Sequence, residues 1–546
     1  MSDSKNDDLL DETSSHLKKP LLENADFQNY HSLSRNIESD THAREDSPAV
    51  SFFQVSKKIM ALGIPMALSY TFTASMVATA MMITRLKQES SDDYLATATL
   101  VTTMTNITSC IAISPLLAMS IIGSEKYGEL LRFLSVNNEA QAVKGKKEIA
   151  TLFKNGIVLS TIILPFPFAT LFFSEYLLSN WFAQNHQISY LAQQNLRAYS
   201  YAIPGLMYRV CIEQILFSFE KSRHTMVMGL TTFGIGTAFS YYFAFGPPNL
   251  GLPGIAYGYV IESYLTCAVF GGYMAFHKSF KGIPFLRSEW FNEGLSQQNK
   301  ALLKMGLPIT LQMTCELSAM LLIGFFAGWL SENSLAAQNF STQLFTFAVI
   351  PSDSFAQTLA QEVSRLIGKN NFRDASLFAR YGLLTNVGLI SLICIPISIS
   401  PQILTSIYAS SVNSNVMKMA KYLIPLAAGQ TLAETAGLSM TQTLRSANDL
   451  YKPTVIKISL LWLGVLTGYL LGFKTDLGIY GVNLGFLLGV AIGTAALLPR
   501  WAVKTKKDYL ENTRPSQIPQ TLFNVVQAAG GTAAQNLEEG LSMQHK

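Results

Sequence analysis

Two carboxylates lie inside stretches of the chain that are otherwise apolar. Glu316 lies in the run LQMTCELSAMLLIGFF (311–326), and Glu434 lies in a second such run. A carboxylate that is shielded from water and unpaired is costly while it is charged, so it tends to bind a proton or a cation. Proton and cation compete for one negative charge, which lets such a residue couple their movements. We therefore predict that Glu316 and Glu434 exchange a coupling cation.

Other polar residues at similar depth are candidates for lining a cavity. Arg209 and Glu213 are four residues apart and can pair on one helix face, which fits a structural role as well as a functional one. Asp353 follows Pro351 by two residues and can either bond to local backbone or face a cavity. The full set of cavity-lining candidates is Glu213, Glu262, Asp353, Thr73 and Gln312.

The composition indicates that these residues belong to a membrane protein. Of the 546 residues, 49% are hydrophobic and only 14% are charged. The apolar residues fall in runs of about 20, the length with which a helix crosses a bilayer. We predict an all-α integral membrane protein with twelve spans, at 57–85, 95–124, 149–173, 197–219, 225–246, 253–276, 302–330, 335–363, 376–400, 417–444, 453–473 and 479–502.

Charge, cysteine placement and motif content argue against several other function classes. The net charge of +4 does not point to nucleic acid. All five cysteines lie in apolar runs, so we expect neither a disulfide framework nor a metal site. The chain has no GxxxxGK[ST] loop for a nucleotide phosphate. We therefore expect a secondary transporter without a cofactor, not an enzyme.

The loops between spans indicate the orientation. Lys and Arg are concentrated in alternate loops, for example at Lys144, Lys146 and Lys147. Loops of this kind face the cytoplasm, so we expect both termini to be cytoplasmic. The first fifty residues are polar, so the first span is expected to act as its own insertion signal. The plasma (inner) membrane is the expected location, with an endomembrane or vacuolar membrane as the alternative.

An internal repeat divides the spans into two sets of six. ALGIP (61–65) recurs as KMGLP (304–308), and LGLPGIAYG (250–258) recurs as LGIYGVNLG (477–485). Six is an even number, so both halves enter the membrane from the same side, as in transporters built from parallel repeats around a central cavity. The predicted segments are a polar, disordered tail at 1–55, a six-helix bundle at 56–276, a linker at 277–300, a second bundle at 301–503 and a tail at 504–546.

The repeat also sets the acids of the two halves apart. Glu434 is the repeat mate of Glu213, but its half lacks a counterpart of Arg209, and Glu316 aligns with Thr73. The second half thus holds two deep carboxylates without a basic residue within one helical turn. We expect these two acids to be unpaired.

Two glycine ladders in the last two spans point to packing instead of ligand binding. Their glycines recur every four residues, which places them on one helix face and lets two backbones approach closely. The ladders are Gly464, Gly468 and Gly472, and Gly485, Gly489 and Gly493.

Three stretches resemble the multidrug and toxic compound extrusion (MATE) family, and its eukaryotic-type branch in particular. MGLPITLQMTCELSAMLLIGFFAG resembles the seventh helix of that branch, whose functionally required Glu is matched by Glu316. AETAGLSMTQTLRSANDLYKP resembles the tenth helix, where an acid precedes an Arg by eleven positions, as Glu434 precedes Arg445. IPSDSFAQTLAQEVSRLIGKNNFRDA resembles the end of the eighth helix. The resemblance covers residues 56 to about 502.

The chain departs from the family pattern in ways that favour coupling in the second half. Gln442 stands where the tenth-helix motif usually has Gly. Ala78 stands where some members carry an Asp in the first helix, and the fifth span contains neither Asn nor Asp. The resemblance therefore implies an ion site in the second half and not in the first.

The resemblance implies a V-shaped pair of six-helix bundles that alternates access to a central cavity. It implies a monomer that exports small amphipathic, cationic organic molecules in exchange for H⁺, which the eukaryotic-type motif favours, or for Na⁺ held at Glu316 and Glu434. Pro308, Pro351 and Pro425 are the expected helix hinges.

Three alternatives remain at this point. Two belong to the same superfamily, an organic-acid exporter and a lipid-linked oligosaccharide flippase. The third is a membrane receptor or scaffold without transport, which would have no need for unpaired carboxylates at membrane depth.

Overall fold

The computed structural model describes residues 50–70, 78–83, 85–86, 91–181, 185–285, 297–399 and 414–512. Within these residues the chain is helical, and every predicted span coincides with helix. The first half consists of α1 (Phe52–Ser69), α2a (Ser91–Ile113), α2b (Ala118–Ser135), α3a (Glu139–Ile163), α3b (Pro165–Phe172), α4a (His186–Ser200), α4b (Ile203–Ser218), α5 (Ser222–Phe245) and α6 (Leu252–Phe276). The second half consists of α7 (Gln297–Leu330), α8 (Glu332–Gly368), α9 (Phe372–Ile399), α10 (Ser414–Ser446), α11 (Tyr451–Phe473) and α12 (Gly478–Lys504), and the short helix α13 (Lys507–Asn512) follows.

Three prolines interrupt helices in the first half, whereas the three expected hinge prolines of the second half do not. Pro115, Pro165 and Pro204 each stand in the first turn of a new helical segment, where the missing N–H costs nothing. The second, third and fourth spans, predicted as continuous, are therefore broken. Pro308, Pro351 and Pro425 instead lie inside continuous helices. Their role as hinges stays a prediction.

Six helical stretches of the described chain are long and apolar enough on composition alone to cross a membrane. They are Thr97–Ser135, Glu139–Phe172, Lys300–Leu330, Phe372–Ile399, Tyr451–Phe473 and Gly478–Lys504. Several of the remaining helices are more polar because their polar side chains face the protein interior. In α4b, Arg209, Glu213 and Gln214 are all buried.

The glycine ladders of α11 and α12 pack against each other, as predicted. A Cβ added at Gly464 would lie 2.6 Å from the Cα of Gly489, and one added at Gly485 would collide with the backbone of Gly468. The two helix axes can approach this closely only because these positions lack side chains. The contact fixes α11, whose first turns carry a lysine that is important below.

The first helix of each half packs partly against the other half. Val55 and Ile59 of α1 lie in a core formed by α8, α9, α10 and α12. Leu302 and Met305 of α7 lie in the core of the first half. The predicted boundaries at 276 and 301 therefore divide the chain by its repeat, while α1 and α7 join the two bundles.

Most of both predicted tails lies outside the described residues. The helix α1 begins inside the first tail, at Phe52, where Ser51 and Gln54 form a capping box. Part of the predicted linker, 286–296, also lies outside them.

Candidate functional site

A lysine of α11 lies between the two acids of the second half. The Lys457 Nζ is 2.7 Å from Oε1 of Glu316 on α7 and 3.0 Å from Oε1 of Glu434 on α10. The lysine side chain is only 7% exposed, whereas the two glutamates are 24% and 27% exposed. The expectation that these acids are unpaired is therefore wrong. Each lacks a basic neighbour on its own helix, but both share one from another helix.

Hydrogen bonds extend this cluster toward the end of α10. Gln312 donates to Glu316 over 2.9 Å, one turn away on α7. The guanidinium of Arg445 donates to Oε1 of Gln312 over 2.7 Å. Gln312 and Arg445 are both buried, so Gln312 links an arginine to an acid and is not a lining residue. Arg445, which the tenth-helix motif places eleven residues after Glu434, belongs to this buried network.

Asp353 of α8 lies close to the same cluster. It lies within electrostatic reach of Glu434, Glu316 and Lys457 in its own half, and of Tyr70 in the first half. Asp353 is exposed, although the residues on either side of it are buried. Its exposure and its neighbours in both halves fit the alternative in which Asp353 faces a cavity, which stays a prediction.

The charges of the site do not cancel. Three carboxylates, of Asp353, Glu316 and Glu434, stand against two cations, of Lys457 and Arg445. With every group in its ordinary ionised form, the net charge is −1. One proton or one monovalent cation would neutralise the site.

The first half contains a second buried cluster of charges. Arg209 of α4b donates to Glu262 of α6 over 3.5 Å, and both are at most 5% exposed. Glu213 is also buried, and its Oε1 has no hydrogen-bond partner among the described residues. Burial argues against Glu213 and Glu262 as lining residues of an open cavity. Thr73 lies outside the described residues.

Between the two clusters, Gln357 of α8 joins the halves. Its amide donates to Gln214 of α4b over 2.8 Å and to Ser120 of α2b over 3.1 Å. Its oxygen accepts a hydrogen bond from the hydroxyl of Tyr70 on α1. This buried polar contact links α8 to three helices of the first half.

Sequence reasoning missed Lys457 and Gln357. Lys457 is a single lysine, two turns inside α11, in the apolar run VIKISLLWLG. An ionisable residue at that depth is a functional candidate by itself, so the signal was present. Gln357 gave no comparable signal, because a glutamine among polar neighbours is ordinary in sequence.

Among the described residues, no group of three or more His, Cys, Asp or Glu side chains is placed to hold a metal ion. The five cysteines are free thiols, two of them buried.

Comparison with known proteins gives this arrangement a family. The chain matches the MatE family over residues 65–242 and 308–470, most of both halves. It belongs to the MatE family. It is 27% identical over 335 residues to the probable multidrug resistance protein NorM of Bacillus subtilis, which covers 59% of the chain and 71% of that relative. It is 25% identical over 383 residues to the corresponding protein of Oceanobacillus iheyensis, covering 67% and 81%.

Solved structures agree on the fold. The chain superposes on the eukaryotic MATE transporter AtDTX14 with a TM-score of 0.72 and 15% identity, covering 85% of this chain and 100% of that one. A MOP superfamily transporter from Pyrococcus furiosus matches with a TM-score of 0.67 and 16% identity. This MatE protein therefore has the twelve-helix, V-shaped fold of MATE transporters. It is an integral membrane transporter, not an enzyme, of a family of ion-coupled multidrug antiporters without a prosthetic group.

Proposed function

We propose that this protein exports small amphipathic organic cations in exchange for protons, and that Glu316, Glu434 and Lys457 carry the exchange. The observation that supports this most is the sharing of one lysine by two acids. If each acid had its own fixed cation, no charge would be left for exchange. Because the two acids share one ammonium, one negative charge stays free to take up a proton or a cargo cation in turn.

The transport cycle follows from that single charge. While the cavity faces the cytoplasm, the deprotonated site attracts a cation, and the exposed Asp353 adds to the negative charge that attracts it. A proton arriving from the other side neutralises the glutamate pair and weakens the hold on the cargo. The acids and the lysine come from α7, α10 and α11, so protonation changes the contacts that hold these three helices together. The inward proton gradient then drives export.

The lysine supports protons over sodium as the coupling ion. The Lys457 ammonium stands between the two carboxylates, which is the position that a sodium ion bound to both would occupy. A proton needs no such space, since it adds to one carboxylate oxygen. Sodium held at Glu316 and Glu434 stays the alternative, and it would require Lys457 to move away.

The remaining features of the proposal rest on charge distribution and on family resemblance. We propose that both termini face the cytoplasm, because Lys and Arg are concentrated in the loops on that side. We also propose a monomer in the plasma (inner) membrane, with an endomembrane or vacuolar location as the alternative. The division into bundles at 56–276 and 301–503 belongs to the same proposal, as do hinges at Pro308, Pro351 and Pro425.

Transport in proteoliposomes tests the coupling. The purified protein is reconstituted, and efflux of a fluorescent organic cation is followed under a pH gradient or a sodium gradient. We expect a pH gradient alone to drive efflux and Glu316→Gln to reduce that efflux at least 10-fold, because the variant cannot release a proton. Asp449→Asn, which removes the carboxylate that pairs with Arg500 on α12, serves as the control. Unchanged pH-driven efflux in Glu316→Gln would refute the mechanism.

The same preparation separates the alternative functions. Export of citrate without export of cations would indicate an organic-acid exporter. Movement of a lipid-linked oligosaccharide between leaflets, independent of the pH gradient, would indicate a flippase. Efflux that follows the sodium gradient alone would reassign the coupling ion and leave the site in place.

A further inference from the structure

Four charged side chains meet at the end of the molecule where α4b and α8 terminate. Arg365 of α8 donates to Glu220, which follows α4b, and to Glu362 one turn earlier on α8. Lys58 of α1 lies 3.1 Å from Glu220 and 2.6 Å from Glu362. Arg365 also donates to the backbone carbonyl of Ser218 over 2.9 Å. Two basic and two acidic residues thus bind the first half to the second.

The backbone of Glu220 makes this carboxylate unusual. Five described non-glycine residues have positive φ, a conformation that side chains other than Asn disfavour. Four of them are Asn137, Asn249, Asn370 and Asn448, and the fifth is Glu220 at φ 59°.

Four of the five positions are equivalent helix ends. Asn137, Glu220, Asn370 and Asn448 each follow an even-numbered helix at the same end of the molecule, and the next amide bonds back five residues in every case. Where three helices end in the favoured Asn, α4b ends in a Glu. At this backbone position, which favours Asn, the chain has a carboxylate that pairs with Arg365 and Lys58.

The helices beside these charges are in direct backbone contact. A Cβ at Gly128 of α2b would collide with the carbonyl of Arg365, and a Cβ at Gly368 of α8 would collide with the carbonyl of Glu125. Glu220 lies outside the membrane spans, and although burial raises its pKa, Arg365 and Lys58 together hold that pKa below its usual value. Glu220 is therefore ionised at neutral pH. Its ion pairs lie beside the close contact between α2b and α8, and we expect that contact to persist while the ion pairs hold.

We propose that Lys58, Glu220, Glu362 and Arg365 form a latch that holds the two halves together at the positively charged, cytoplasmic end, and that Glu220 sets how often it opens. The inference rests on the proposed function in one respect, since alternating access requires this end to open. In the structure Asp353 is exposed while this end is shut. Cargo can enter from the cytoplasm only after Arg365 separates from Glu220, because the two residues belong to opposite halves.

The substitution Glu220→Asn tests the latch without straining the backbone. Asn occupies the equivalent helix ends at Asn137, Asn370 and Asn448, so the variant is expected to fold, while the carboxylate is lost. Hydrogen exchange of the full-length protein in detergent or nanodiscs measures opening without any transport assay. We expect exchange to become about fivefold faster, which corresponds to about 1 kcal/mol, at the ends of both α4b and α8.

The comparison with Asp449→Asn makes the result specific. That substitution breaks an arginine–aspartate pair after α10, 2.5 and 2.9 Å long, within the second half alone. It should leave the exchange at the ends of α4b and α8 unchanged. Lys58→Gln, at a side chain 42% exposed, should act in the same direction as Glu220→Asn.

Two results would overturn the latch. One is exchange in Glu220→Asn equal to that of the wild type at both helix ends. The other is faster exchange at the end of α4b alone, because a purely local effect leaves α8 undisturbed. Neither result depends on whether protons drive transport, so the latch and the coupling mechanism can fail separately.

Discussion

In the first half, Arg209 lies with Glu213 and Glu262, and in the second half Lys457 lies with Glu316 and Glu434. Both clusters consist of one basic residue and two acids, so their formal charges are the same. They differ in access. The ion-paired side chains of the first cluster are 5% exposed, while the glutamates of the second are 24% and 27% exposed.

The nature of the cation differs as well. An arginine has a rigid, planar group that holds acids in fixed geometry, whereas a lysine carries a compact charge on a flexible stem. A partly exposed pair of acids that share one ammonium suits an exchange site. A buried arginine cluster suits a structural role, in which it holds α4b and α6 together. The same inventory of charges can therefore serve transport in one half and structure in the other.

The largest effect on transport is expected from Lys457→Met, which removes the cation that Glu316 and Glu434 share and so abolishes the likeness between the two clusters. Without the ammonium, two acids face each other and hold a second proton or a cation tightly. A site that holds its proton or cation about 3 kcal/mol more tightly releases it roughly 100-fold more slowly, so we expect proton-driven efflux to fall by about that factor. Proteoliposome efflux under a pH gradient measures it.

Lys457→Arg refines that test. The arginine keeps the charge, but its rigid group should fix both acids, as Arg209 fixes Glu262 in the first half. We therefore expect a folded protein with little transport. Wild-type efflux in both variants would mean that the identity of this cation does not matter, contrary to the comparison.

A smaller effect on transport is expected from Glu262→Gln in the first half. The change leaves Arg209 without its 3.5 Å ionic partner, which should lower thermal stability by several degrees. Efflux per folded molecule should stay within about twofold of the wild type, because this cluster has no access to the cavity. Thermal unfolding and efflux are measured on the same preparation, and a loss of coupling at full stability would give the first half an ion site after all.

The sequence predicts the twelve helices from its apolar runs together with the alternation of basic loops and the internal repeat, since only six described stretches are apolar enough on composition alone. It does not predict the breaks at Pro115, Pro165 and Pro204, since a membrane helix tolerates proline, as α7, α8 and α10 show. Whether a given proline breaks a helix depends on packing around it.

The acids of the site were predictable, but their partner was not. Spacing along one helix reports on neighbours three or four residues away, and no basic residue lies that close to Glu316 or Glu434. Their partner comes from α11, and its place depends on how the glycine ladders dock α11 against α12. Sequence spacing within one helix carries no information about that docking.

The smallest effect on transport is expected from Gln312→Leu, which tests whether Arg445, the second cation of the site, contributes to exchange. Leucine fills most of the same volume but removes the bridge from Arg445 to Glu316, bonds of 2.7 and 2.9 Å. Arg445 stays buried and Lys457 still holds Glu316, so the exchange site should survive. We expect the pH at which efflux is half-maximal to shift by less than about one unit, because a shift of one unit corresponds to about 1.4 kcal/mol. Maximal efflux should be retained. Efflux measured across a pH series decides this. Abolished efflux would mean that Arg445, acting through Gln312, holds Glu316 in place as strictly as Lys457 does, and the free negative charge would then have to reside on Glu434 or Asp353.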